Sequence, residues 1–109
     1  MPKKHLLGDQ VPSLVAERLR TWGICIKTLR LAQKLRVHDL CARIDVTHTT
    51  LRRLEQGDPG ASAGLYLSAL MVLGAIDIAA PPLPSHLVDL SSKNNRVRLS
   101  YAEDIDHDF

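Results

Sequence analysis

The chain has 109 residues, of which 45% are hydrophobic and only 4% aromatic, and its net charge is +2. This length predicts one small domain with an aliphatic core. No apolar run approaches the ~20 residues that span a bilayer, and no apolar segment after His5 resembles a signal peptide. We therefore expect a cytoplasmic protein with no membrane partner.

The charges are unevenly distributed along the chain. Residues 1–62 carry eleven Lys and Arg against six Asp and Glu, whereas residues 63–109 carry three against six. A basic N-terminal half favours contact with phosphates. The acidic C-terminal half requires a different explanation.

The first predicted element is a long helix that begins near Pro12 and runs to about Lys34, after a disordered segment at residues 1–10. Its apolar residues recur every three or four positions: Val15, Leu19, Trp22, Ile26 and Leu29. Gly23 interrupts this pattern, which indicates either a kink or close packing against another helix. The apolar seam is shorter than three heptads, so a helix covering the core is favoured over a coiled coil.

Two short amphipathic helices follow, joined by a tight turn. The first has a single apolar stripe made of Val37, Leu40, Cys41 and Ile44. Asp45 tolerates the left-handed backbone that such a turn requires. Thr47 is a suitable N-cap for the second helix, and Val46 and Leu51 have the spacing of a hydrophobic staple around it. This arrangement predicts a helix-turn-helix.

The second helix of the motif has an outward face rich in hydrogen-bonding groups. At about 100° per residue, its apolar positions turn inward and its polar ones outward. The outward residues are His48, Thr49, Arg52, Arg53 and Gln56. Such groups on a free helix face can read base edges in DNA. The alternative is that the face is only solvated, as in many small helical proteins.

Further helices are predicted after the motif. The run from Gly57 to Gly60 is a stop and turn, and Ser62 can cap a helix that ends at Gly74. That helix is expected to pack Tyr66, Leu67, Leu70, Met71 and Leu73 inward. Residues 75–80 predict a short helix, which Pro81 cuts off.

The end of the chain is expected to form an extension, residues 81–109, beyond the domain at residues 11–80. Residues 86–90 and 96–101 alternate apolar and polar side chains, so 86–90 is a candidate dimerisation strand. The stretch 101–109 is acidic and has no Lys or Arg, which predicts a disordered tail. Its isolated apolar side chains are Tyr101, Ile105 and Phe109.

The sequence lacks the patterns typical of catalytic or metal sites. Its five histidines share no ligand spacing, and Cys25 and Cys41 are apolar-face positions that we expect to be free thiols. There is no glycine-rich phosphate loop, nucleophile elbow or paired-carboxylate pattern. We expect no catalytic residue, cofactor, metal or small-molecule substrate, and hence no enzyme.

Residues 23–75 resemble the lambda-repressor-like helix-turn-helix domains of the Cro and Xre type, and within them the HipB-like antitoxins. The matching residues are Gly23, Ile26, Leu29, Arg30, Leu35, Leu40, Ala42, Arg43, Val46, Thr47, Thr50, Leu51, Arg53, Leu54, Glu55, the run Gly57 to Gly60, Ser62 to Gly64, and Leu70 to Gly74. The segment from Leu54 to Gly60, followed by Ser62 and Gly64, is the most antitoxin-like part.

The resemblance implies an all-α, five-helix bundle that binds double-stranded operator DNA as a homodimer. The family's base-reading positions fall on His48, Thr49, Arg52 and Arg53, and its cap and backbone-contact position falls on Thr47. Arg30 and Glu55 match a structural ion pair of the family. Antitoxin members repress their own operon and bind a HipA-like serine/threonine kinase toxin.

Three departures from the family concern the first motif helix and the turn. The family prefers Thr or Ser followed by Gln at the start of that helix, where this chain has Arg36 and Val37. The usual cap and a phosphate contact are therefore lost, although Arg36 can itself reach a phosphate. Asp45 stands where a turn glycine is frequent.

The main hypothesis is a dimeric repressor that is also the antitoxin of a HipA-like kinase. Its dimer interface is expected at Leu87, Val88 and Leu90, through strand pairing, and its tail is expected to bind the kinase. One alternative is a protein-binding module that has kept the fold but lost operator recognition. Another is a phage or housekeeping Xre-type regulator without a toxin partner.

Overall fold

A computed structural model describes residues 11–90, which form helices joined by turns and contain no strand. The helices are α1 Ser13–Ala32, α2 Val37–Ile44, α3 His48–Glu55, α4 Ala63–Val72 and α5 Ile76–Ala79, and residues 85–90 are also helical and are called α6. The all-α bundle predicted from the sequence is confirmed. The expectations for residues 1–10, for 96–101 and for the tail anchors Tyr101, Ile105 and Phe109 concern residues outside this range.

One apolar core joins the first four helices. Its buried members are Ile26 from α1, Leu40, Cys41 and Ile44 from α2, Leu51 and Leu54 from α3, Tyr66, Ala69 and Leu70 from α4, and Leu73 and Ala75 after it. The expected inward position of Met71 is wrong, because 59% of this residue is exposed. Ala69, Leu70 and Leu73 continue the stripe that starts at Tyr66, and Met71 is rotated about 100° from Leu70.

Helix α1 lies close to the C-terminal end of α3, where two glycines have no side chain to separate the backbones. A Cβ added at Gly23 would lie 2.6 Å from the carbonyl oxygens of both Leu54 and Glu55, and one at Gly57 would lie 2.6 Å from Cα of Arg20. Helix α1 continues unbroken through Gly23. Of the two readings of this glycine, close packing is therefore the correct one.

The strand expected at residues 86–90 is wrong, because this segment belongs to α6. The carbonyl of Pro84 accepts hydrogen bonds from the backbone N–H of Leu87 at 3.0 Å and of Val88 at 3.2 Å. Pro84 therefore precedes α6 as its N-cap residue, and its carbonyl accepts the first hydrogen bonds of the helix. The three predicted interface residues Leu87, Val88 and Leu90 are 38%, 49% and 49% exposed.

No helix within residues 11–90 is long and apolar enough to cross a membrane.

Candidate nucleic-acid interface

The α2–α3 turn sets the direction of α3. Asp45 ends α2 in the left-handed region with φ 57°, and the backbone N–H of Val46 donates to the carbonyl of Cys41 at 3.0 Å. Asp is one of the few residues besides Gly that adopts this conformation readily. The departure from the family's turn glycine therefore leaves the motif geometry in place.

Helix α3 divides into a buried and an exposed face. Leu51 and Leu54 are fully buried and anchor the helix to the core. The polar residues predicted to face outward are all exposed: His48, Thr49, Arg52, Arg53 and Gln56. The structure therefore presents hydroxyl, imidazole, guanidinium and amide groups on one accessible surface.

Thr47 caps the start of α3. Its Oγ1 accepts a hydrogen bond from the backbone N–H of Thr50 at 3.2 Å. The same atom lies 3.1 Å from the hydroxyl oxygen Oγ1 of Thr50. An N-cap of this type satisfies one of the free donors of the first turn. Thr47 is also exposed.

The start of α2 uses a different cap. The Asp39 carboxylate accepts hydrogen bonds from the backbone N–H of Arg36 at 3.3 Å and from its guanidinium Nε at 3.2 Å. The side-chain hydrogen bond from Arg36 holds the pKa of Asp39 below its usual value. Asp39 thus satisfies the backbone N–H of the N-cap residue, which is the reciprocal half of a capping box, and within residues 11–90 no side chain accepts from the first-turn N–H groups as a hydroxyl cap would. The exposed Arg36 side chain consequently has a carboxylate partner of its own.

Two residues that the sequence analysis missed lie beside α3. The rings of His38 and His48 meet edge to face with centroids 6.3 Å apart, which places His38 next to the first turn of α3. Lys27 of α1 lines a groove together with Arg30, Val37, His48, Leu51, Arg52, Glu55 and Gln56. No periodic spacing in the sequence connects Lys27 or His38 to this surface, because only the fold brings their helices together.

The two adjacent arginines of α3 are in different environments. Within residues 11–90, Arg52 makes no side-chain hydrogen bond or ion pair, and it is exposed beside the groove. Arg53 instead donates from Nε to Oδ2 of Asp58 at 2.7 Å. The structure therefore distinguishes two residues to which the sequence assigned the same role.

A buried two-helix motif with an exposed polar α3 defines a helix-turn-helix domain, the fold of many DNA-binding regulators. The family model described as "Helix-turn-helix domain" matches residues 23–80, and the chain belongs to this family. The match supports the predicted resemblance to the lambda-repressor-like, Xre-type domains. Comparison with curated proteins and with solved structures gave no significant match.

Proposed function

We propose that the protein is a sequence-specific transcriptional repressor that places α3 in the major groove of its operator. The observation that carries this proposal is the free polar face of α3, above the buried Leu51 and Leu54. Arg52 has no partner within residues 11–90 to compete with a base. Arginine forms a bidentate pair with guanine in the major groove.

The other exposed residues have distinct roles in this proposal. His48 and Thr49 lie in the first turn of α3, the part of a recognition helix that contacts base edges. Thr47, the N-cap of α3, and Arg36, the N-cap of α2, are proposed to contact phosphates, and Gln56 extends the surface at the end of α3. Lys27, across the groove, adds a further cation.

The proposed repressor acts as a homodimer, because one helix-turn-helix reads only a short half-site. Apolar side chains exposed after α4 supply a surface for the second copy: Ile78, Leu83, Leu87, Val88 and Leu90. Since 85–90 is helical, we propose that this contact is helix packing and not strand pairing. Sedimentation of the full chain with and without operator DNA should show a dimer, and a monomer in both cases would contradict it.

The antitoxin role is a finer proposal that is supported by the resemblance around Leu54 to Gly64. In it, the acidic segment 101–109 inserts Tyr101, Ile105 and Phe109 into a basic groove on a HipA-like kinase. Deletion of residues 101–109 should weaken kinase neutralisation and leave operator affinity unchanged. Equal neutralisation by the truncated and full-length chains would exclude the tail as a toxin-binding element.

DNA binding is tested with the purified chain and its own promoter, at two salt concentrations, against a scrambled duplex of equal length. We expect preference for the promoter and a steep fall of affinity with salt, because bound cations displace counterions from the phosphates. Substitution Arg52→Ala should cost about 1–3 kcal/mol of promoter binding. Equal affinity for both duplexes would contradict the repressor proposal.

A second candidate is a protein-binding module that no longer recognises an operator. The start of α2 favours it, because Val37 stands at a position where the family has Gln, and the guanidinium of Arg36 is paired with Asp39. The same binding experiment separates the two. A module of this kind would bind promoter and scrambled DNA alike, and Arg52→Ala would have no selective effect.

A further inference from the structure

The turn after α3 fixes the position of one carboxylate. Helix α3 ends at Glu55 and is followed by Gly57 at φ 73°, and the backbone N–H of Asp58 donates to the carbonyl of Arg53 at 3.0 Å. The carbonyl of Asp58 accepts the hydroxyl of Tyr66 at 2.7 Å, and its Oδ1 accepts the backbone N–H of Gly60 at 2.8 Å. The backbone of Asp58 is therefore bonded to Tyr66 of α4, and its side chain is bonded within the turn.

This carboxylate holds the guanidinium of Arg53. Nε of Arg53 lies 2.7 Å from Oδ2 of Asp58, and the two side chains are 45% and 34% exposed. Nη2 lies 3.2 Å from the point that a Cβ would occupy at Gly60, so the guanidinium passes over this glycine. The hydrogen bond from Arg53 also holds the pKa of Asp58 below its usual value, and the hydrogen bond from the backbone N–H of Gly60 adds a smaller effect in the same direction.

The direction of this contact matters for DNA recognition. The turn at 57–60 lies beyond the C-terminal end of α3, whereas recognition helices contact base edges mainly with their N-terminal residues. Arg53 uses Nε for Asp58 and keeps its Nη groups, which suit a phosphate oxygen. Arg52, one residue earlier and about 100° around the helix, lies at the groove with His48.

We infer that Asp58 is a positioning residue that directs Arg53 to the DNA backbone and leaves base reading in the last turns of α3 to Arg52. This inference rests on the proposed DNA-binding function and deepens it. Phosphate contacts strengthen binding to every sequence, whereas base contacts distinguish sequences. Removal of Arg53 should therefore change the affinity for every sequence, and removal of Arg52 should change the preference for the promoter.

The test compares Arg52→Ala and Arg53→Ala in the full chain, with promoter and scrambled duplexes over a salt series. Arg53→Ala should weaken binding to both duplexes by the same factor and reduce the salt slope by about one. Arg52→Ala should lower promoter affinity about 5-fold or more, relative to the scrambled duplex. Selective loss of promoter binding in Arg53→Ala would show that Arg53 reads a base and would overturn the inference.

The role of Asp58 is tested with Asp58→Asn, and Asp39→Asn is the matched control because it breaks the other exposed Arg–Asp pair of the domain. In the Asp58→Asn background Arg53 keeps its charge but loses the carboxylate that positions it, so Arg53→Ala should cost less affinity there than in the wild type, on both duplexes. Asp39→Asn should leave the cost of Arg53→Ala unchanged. An equal cost of Arg53→Ala in the wild type and in both backgrounds would show that the Arg53–Asp58 pair is only structural.

Arg53→Lys repeats the test if Asp58→Asn does not fold, because it keeps the charge and removes the Nε–H that Asp58 accepts. It should weaken binding to both duplexes by the same factor while keeping the salt slope, and wild-type affinity for both duplexes would overturn the inference. If the wild type itself does not prefer its promoter, the proposed repressor function fails. In that case the salt slope of Arg53→Ala still decides whether this residue contacts phosphate.

Discussion

Arg30 in α1 and Glu55 at the end of α3 form a two-pronged ion pair across 25 residues of sequence. Nε of Arg30 lies 2.7 Å from Oε2 of Glu55 and Nη2 lies 3.4 Å from Oε1, while Nη1 donates to the carbonyl of Leu35 at 3.2 Å. The two side chains are only 9% and 11% exposed. The pair fixes the last turn of α3 against α1, next to the surface that we propose to contact DNA.

Removing one member of this pair should be strongly destabilising. Glu55→Ala leaves the Arg30 guanidinium without its carboxylate in a nearly buried site, and the expected cost is about 3–5 kcal/mol in the free energy of unfolding. The double variant Arg30→Met with Glu55→Leu replaces the pair by apolar groups and should recover most of that loss. Urea denaturation measures both, and a single-variant cost below about 1 kcal/mol would contradict the prediction.

Local patterns in the sequence account for most of the fold. The stripe through Leu40 and Ile44 and the outward face of α3 follow from helical periodicity, and the caps at Thr47 and Ser62 follow from residue type. The misplaced element, residues 86–90, is too short for alternation to separate a strand from a helix. In the structure the carbonyl of Pro84 accepts hydrogen bonds from the backbone N–H of Leu87 and Val88, which is the pattern of a helix start.

The site was predictable only in part, because its finer geometry depends on contacts between separate segments. The sequence placed Arg52 and Arg53 on one face, but the carboxylate that pairs with Arg53 comes from the following turn. The periodicity of α3 does not indicate which of the two arginines will form an ion pair with Asp58. Lys27 belongs to a different helix, and only the crossing of α1 and α3 brings it to the groove.

Alanine at Gly23 tests the crossing of α1 and α3. A Cβ at this position would lie 2.6 Å from the backbone carbonyl oxygens of Leu54 and Glu55, and neither oxygen can move without moving α3. We expect Gly23→Ala to reduce the free energy of unfolding by about 1–3 kcal/mol and to weaken DNA binding through displacement of α3. Urea denaturation and promoter binding are the measurements.

Gly64 provides the matched control for this substitution. It is exposed in the first turn of α4, and a Cβ there would meet only Oγ of Ser62, at 3.6 Å. Gly64→Ala should therefore leave stability unchanged or increase it, by up to about 1 kcal/mol, because alanine has the better helix propensity. Equal losses for Gly23→Ala and Gly64→Ala would show that the crossing is not the reason.

Two helix caps of the same kind allow a separation of stability from binding. Oγ1 of Thr47 and Oγ of Ser62 accept a backbone N–H at 3.2 and 3.1 Å, respectively. Thr47→Ala and Ser62→Ala should each cost about 1 kcal/mol of stability, measured by thermal unfolding. Thr47→Ala should in addition weaken promoter binding beyond Ser62→Ala, since Thr47 adjoins the turn of α3 that we propose to read bases. Equal binding by the two variants would assign Thr47 a purely structural role.

The burial of the Tyr66 side chain predicts that the folded protein loses stability at alkaline pH. Its side chain is fully buried between α1 and the α3–α4 turn, where it packs at 5.8 Å from the Trp22 ring. Burial raises the pKa of Tyr66 to about 12, and the nearby charge of Asp58 acts in the same direction. The folded protein therefore holds this proton more tightly than the unfolded chain, whose tyrosine has a pKa of about 10.

The sign of this linkage places the effect above pH 10. The stability contributed by neutral Tyr66 is complete below about pH 10 and is lost as the pH rises through about 12. The chain has two tyrosines, so Tyr101→Phe isolates the absorbance of the Tyr66 phenolate. In this variant the phenolate should form together with the loss of helical circular dichroism. Adding Tyr66→Phe should make the free energy of unfolding less dependent on pH between about pH 10 and 12. In the Tyr101→Phe variant, phenolate formation near pH 10 with intact helices would contradict the prediction.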